Sequence, residues 1–95
     1  MIIVRGVNIY PSAIEDVLRR FEEIAEFQAV VKTQSSLAEL RLRIEAKTGF
    51  ADAENLARRV GQELQMTFNL RVPVEAVAPG TLPRFEMKAK RWVRE

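Results

Sequence analysis

Ala38-Glu39-Leu40-Arg41-Leu42-Arg43-Ile44-Glu45-Ala46-Lys47 is the stretch on which the fold turns. Leu40, Leu42, Ile44 and Ala46 alternate with Glu39, Arg41, Arg43 and Glu45, the period-two pattern of a strand with one dry face and one wet face. Just before it, Phe27 to Thr33 reads as a second strand, with Phe27, Ala29 and Val31 on one side. Gln34-Ser35-Ser36 supplies a polar turn between them. The two strands predict an antiparallel hairpin whose apolar face must be covered. Its charged face carries no aromatic side chain at these four positions, and the alternating signs read as solvated cross-strand pairs.

Two helical patterns supply the cover. Pro11 to Phe21 places Ile14, Val17, Leu18 and Phe21 on one face. Its start is marked twice: Pro11 suits the first turn, and Ser12 with Glu15 fits a capping box. Asp16 and Arg20 form an i,i+4 pair of the stabilising order. Ala51 to Asn69 runs Ala53, Leu56, Val60, Leu64 and Phe68 down one side. Gly61 inside it costs about 1 kcal/mol relative to alanine. Met1 to Arg5 reads as a short strand, Gly6 to Tyr10 as a loop, and Val72 to Val77 as a last strand. Pro73 puts that strand at an edge, because proline cannot donate to a ladder. The order β-α-β-β-α-β predicts an α+β, ferredoxin-like two-layer sandwich: a four-stranded antiparallel sheet with two helices on one face. A C-terminal loop and basic tail follow.

Ninety-five residues make one domain, 1–95. With 47% hydrophobic and 29% charged residues, the composition is that of an ordinary folded domain. No apolar run approaches the roughly 20 residues of a membrane span. There is no cysteine and no histidine. Disulfides, thiolate chemistry, the commonest metal ligand and the commonest general base are therefore absent, and no metal site is expected. A net charge of +2 does not argue for nucleic acid.

Two stretches at the ends go beyond a plain scaffold. One is Arg5-Gly6-Val7-Asn8-Ile9-Tyr10-Pro11. The other is Leu82-Pro83-Arg84-Phe85-Glu86-Met87-Lys88-Ala89-Lys90-Arg91, opened by Pro79 and Gly80. By composition alone Lys88 is one solvated charge among Arg84, Lys90, Arg91 and Arg94. Gly6 alone reads as a strand terminator, or as a residue needing a positive φ or a close approach.

Together these stretches resemble the small C-terminal domain of phenylacetate-CoA ligase-like enzymes, in the acyl-adenylate-forming (AMP-binding) superfamily. In that family an Arg-Gly-Val-Asn stretch follows the interdomain hinge, and a closing Leu-Pro-Arg-x-Glu-Gly-Lys-Ala-x-Arg stretch carries the catalytic lysine. Met87 stands where the family usually has glycine. The resemblance implies that this chain is the mobile C-terminal domain of a longer ligase, cut from its large N-terminal adenylate-forming domain. It implies a cytoplasmic parent that joins an aryl carboxylic acid such as phenylacetate to coenzyme A, using ATP and Mg2+, with no nucleic-acid or membrane partner. Lys88 would be the adenylation lysine, supported by Pro83, Arg84 and Glu86. Arg5, Gly6, Val7 and Asn8 would border the coenzyme A tunnel after the domain rotates. The isolated chain is expected to be inert, with no cofactor bound. A free-standing ACT-like small-molecule sensor, with Gly6 and Asn8 in its ligand loop, is the alternative reading; an RNA-binding module on the basic tail is a further one.

Overall fold

A computed structural model describes residues 2–34, 37–82 and 91–94. The chain runs β1 (Ile2–Val4), β2 (Val7–Ile9), α1 (Pro11–Arg19), β3 (Ile24–Gln34), β4 (Leu37–Ala46), α2 (Ala53–Phe68), β5 (Val74–Val77) and β6 (Trp92–Arg94). The predicted two-layer α+β arrangement holds. The helices touch each other and share one core with the apolar face of the β3–β4 hairpin: Ile14, Val17, Leu18, Leu56, Val60 and Leu64 meet Phe27, Ala29, Val31, Leu40, Leu42 and Ile44.

The sheet is mixed rather than antiparallel. β3 and β4 pair antiparallel from Ile24↔Ala46 to Gln34↔Leu37, and β1 pairs β2 antiparallel. β5 runs parallel to β4, Leu42↔Val74 to Glu45↔Val77. A parallel neighbour needs a long crossover, and α2 provides it. β1 meets the other end of β4 on the same edge, at Val4↔Ala38. β6 extends the opposite side, parallel to β3, with Ala29↔Trp92 through Val31↔Arg94. The expected basic tail thus contains a strand, and Trp92 packs against the core. Pro73 stands just before β5, where its carbonyl accepts from Leu42 N–H at 2.9 Å.

Local chemistry explains the boundaries. Pro11 begins α1 after Tyr10, whose carbonyl takes the first turn's amides; no side chain caps this end, so the Ser12 capping box is not used. Asp52 caps α2 through Asn55 N–H at 3.1 Å, and Asn69 ends it in the left-handed region at φ 53. β3 begins three residues earlier than expected because of a bulge. The register jumps between Ile24 and Glu26, leaving Ala25 as the extra residue. Ile24 and Phe27, three apart in sequence, then both meet the core, and Glu26 alone faces the other side, opposite Glu45.

Candidate functional site

Arg5 and Gly6 are the two turn residues of a hairpin. Val4 pairs with Val7, and both turn residues have positive φ, 49 for Arg5 and 81 for Gly6. That is the backbone of a two-residue primed turn, whose twist matches the flanking strands. Gly6 needs its missing Cβ for this conformation, not for crowding: a Cβ there would meet nothing within 4 Å. The expected strand and loop are therefore two strands and a turn, with Val7 half-buried and Asn8 exposed on β2.

Arg5 is held in place. Its guanidinium donates to Glu39 Oε1 at 2.8 Å, tying the turn to the start of β4. The hydrogen bond from Arg5, then its charge, holds the Glu39 carboxyl below the ordinary glutamate range. Between β1 and β5 the edge of β4 carries no strand among the described residues. A groove of about 460 Å³ opens there, bordered by Arg5, Lys32, Arg41 and Arg71, with Glu39 the one acid among the described residues. The expected solvated pairing of this charged face holds for Glu39 but not along the whole strand.

At the other end of β4 the arrangement is different. Glu45 is 0% exposed. Its Oε1 accepts from Gly80 N–H at 2.8 Å and its Oε2 from Leu82 N–H at 3.3 Å. The chain after β5 therefore folds over this end of the hairpin, and Leu82 is buried with it. Glu26, the cross-strand partner of Glu45, is 5% exposed. Arg91 donates to it through Nε at 2.8 Å and Nη2 at 3.4 Å, and stacks over the Phe27 ring at 5.1 Å. Between them Arg43 donates to Gln28 Oε1 at 3.3 Å.

Two expectations on these residues change. Glu45 is an anchor inside the protein rather than a solvated charge, because alternation says which way a side chain points, not what covers it. Arg91 is a packed ion-pair partner rather than a member of a free basic tail. Glu26 carries no signal in the sequence: it lies just inside the bulge, where the period-two pattern is broken. Lys88, Pro83, Arg84 and Glu86 lie outside the described residues. Among the described residues no three acidic side chains gather as a metal cage, and no helix is long and apolar enough to cross a membrane.

A family model described as the AMP-binding enzyme C-terminal domain matches residues 6–95. A phenylacetate-coenzyme A ligase of Thermus thermophilus is 28% identical over 104 residues, covering 90% of this chain and 23% of that protein. The chain thus spans about a quarter of the length of the curated relatives it matches. Among solved structures, a domain of phenylacetate-coenzyme A ligase from Bacteroides vulgatus superposes with TM-score 0.81 at 29% identity, covering 99% of this chain and 91% of that one. A 2-hydroxyisobutyryl-CoA ligase matches in two states. In its postadenylation state with an acyl-AMP, the TM-score is 0.84 at 32% identity, over 100% of this chain and 21% of that one. In its thioesterification state with acyl-AMP and CoA, the TM-score is 0.78 at 32% identity, over 97% and 20%.

Proposed function

Because this chain belongs to the AMP-binding enzyme C-terminal domain family, we propose that it is the mobile C-terminal domain of an ATP-dependent, AMP-forming acid–CoA ligase. Its partner is an N-terminal adenylate-forming domain of the same parent. The acid is an aryl carboxylate such as phenylacetate, the substrate class named in the curated relative. The observation that supports the reading is where the two candidate stretches join the domain. The Arg5-Gly6 turn is tied to Glu39, and the approach to Lys88 is tied to Glu45. Those anchors are six residues apart on one strand, about 20 Å at roughly 3.3 Å per residue. Attachment at opposite ends of one strand fits a domain that offers one stretch at a time to a reaction centre. A domain that turns between two half-reactions can present each in its step.

In the first half-reaction a carboxylate oxygen attacks the α-phosphorus of ATP and pyrophosphate leaves. Lys88 brings a cation on a long stem to the place where negative charge accumulates. In the second, the CoA thiol attacks the acyl carbonyl, and AMP leaves with the bonding pair. The turn of Arg5, Gly6, Val7 and Asn8 then borders the path of the CoA arm. In this reading the magnesium ion is bound by the large domain together with the nucleotide.

The test is Lys88→Ala in the full-length ligase, with each half-reaction assayed separately. Adenylation, followed by pyrophosphate exchange, should fall about 10²–10³-fold, the loss seen when one preorganised electrostatic donor is removed. Acyl transfer from supplied acyl-adenylate should stay near normal. Lys90→Ala is the charge control and should act weakly. Equal losses for Lys88→Ala and Lys90→Ala would end the lysine assignment. Equal losses in both half-reactions for Lys88→Ala would end the two-orientation mechanism.

A further inference from the structure

The buried pair Glu26 and Glu45 has no role in the chemistry described so far. Two carboxylates directly opposite each other on paired strands repel and are expensive to bury. Here they are opposite, 5% and 0% exposed, and both face away from the main apolar core. Their partners resolve the conflict. Glu45 takes the backbone amides of Gly80 and Leu82; Glu26 takes the guanidinium of Arg91. Leu82 and Arg91 are the residues on either side of the 83–90 stretch, which contains Lys88. Both ends of that stretch are thus fixed to one rung of the β3–β4 hairpin. The two kinds of anchor differ. Backbone amides bind a carboxylate whatever side chains the loop carries, so Glu45 fixes the course of the main chain. The Arg91 contact is a forked ion pair backed by the Phe27 ring, so it fixes one side chain and with it the start of β6.

We propose that Glu26 and Glu45 are positioning residues for the adenylation step: they set where the Lys88 stretch leaves and re-enters the domain, and so where its cation is delivered. This rests on the reading of Lys88 given above. An error of about 1 Å in placement can cost up to about 10²-fold in rate, so a loose anchor shows in the step that uses the lysine. It does not show in the step that uses the Arg5-Gly6 turn, which is tied to the far end of β4.

The experiment uses Glu45→Gln, Arg91→Gln and Lys88→Ala in the full-length ligase, alone and in pairs. Glu45→Gln keeps the shape but replaces one acceptor oxygen with a donor. Arg91→Gln acts at a half-buried site and keeps the test available if Glu45→Gln does not fold. Each anchor variant should slow pyrophosphate exchange by about 10-fold or more, with acyl transfer from supplied acyl-adenylate changed by less than about twofold. Added to Lys88→Ala, either anchor variant should cause almost no further loss, because its effect passes through that lysine. In the 95-residue chain, Glu45→Gln should speed amide hydrogen exchange by about 10-fold at whichever of Gly80 and Leu82 loses its acceptor, the worth of one ordinary hydrogen bond. Three results overturn the proposal: adenylation unchanged in the folded variants, equal slowing of both half-reactions, or full additivity with Lys88→Ala. An unaffected Lys88→Ala enzyme would instead end the lysine assignment on which the proposal rests. Loss with Lys88→Ala but not with the anchor variants leaves that assignment standing and removes this proposal alone.

Discussion

Replacing Gly6 separates a residue needed for the turn from a residue needed for the reaction. Gly6 sits at φ 81 in a two-residue hairpin turn, and a Cβ there would meet no atom within 4 Å. The cost of Gly6→Ala is therefore conformational, with no steric part. A left-handed backbone costs an alanine about 1–2 kcal/mol. The stiffer unfolded chain returns about 0.4–1 kcal/mol. The net is about 1 kcal/mol of destabilisation, or a melting temperature lower by about 4–8 °C in a domain of this size. Asparagine enters the left-handed region more easily, so Gly6→Asn should lose less than half of that. In the full-length ligase Gly6→Asn keeps the turn but adds a side chain on the path proposed for the CoA arm. Acyl transfer from supplied acyl-adenylate should slow by about 10-fold or more, while pyrophosphate exchange stays within about twofold. Thermal melting of the 95-residue chain and the two half-reaction assays give the readouts. An unchanged melting temperature in Gly6→Ala would refute the turn argument. Equal slowing of both half-reactions in Gly6→Asn, or of neither, would confine Gly6 to shaping the hairpin.

Two further outcomes follow from side chains elsewhere. Gly61→Ala should stabilise the domain by about 0.5–1 kcal/mol in urea unfolding, because the new methyl would meet Val72 O and Val74 Cγ2 at an ordinary 3.8 Å; a loss of stability would mean that α2 and β5 pack more tightly than this. Arg5→Ala should return the Glu39 carboxyl, followed by NMR titration, to the ordinary glutamate range. Because the folded value lies below the unfolded one, the stabilisation from the Arg5–Glu39 pair is present above the ordinary range. It is lost as pH falls through the depressed value. A Glu39 titration that does not move in Arg5→Ala would show that the ion pair is not the cause.

The hairpin of β3 and β4 and the long helix α2 are legible in the sequence because their apolar spacing is regular over ten or more residues. The features missed share one cause: a break in that regularity. The first hairpin hides behind an arginine in a left-handed turn position, where asparagine or aspartate before the glycine would have announced it. Ala25 shifts the strand phase by one, so Ile24 and Glu26 look out of pattern. β6 is three residues in a basic run, too short for any period to show. The parallel directions of β5 and β6 depend on how the chain crosses the sheet, which local spacing does not encode. At the candidate site the motif residues are visible in the sequence, while the buried, anchoring roles of Glu26, Glu45 and Arg91 are not. Their burial is imposed by segments far along the chain.

β6 also fixes an order of assembly. It joins residues 92–94 to residues 29–31, so it closes only after nearly the whole chain is available, and a contact so distant in sequence is slow to form. The β3–β4 hairpin needs only its own turn and forms from neighbours. Until β6 arrives, the outer side of β3 offers unpaired backbone at Ala29, Val30 and Val31, three residues that are buried in the finished domain. An open apolar edge of that kind pairs readily with another copy of itself. A chain ended before Trp92 would keep that edge permanently, so shortened versions of the domain should aggregate even though both helices and most of the core remain.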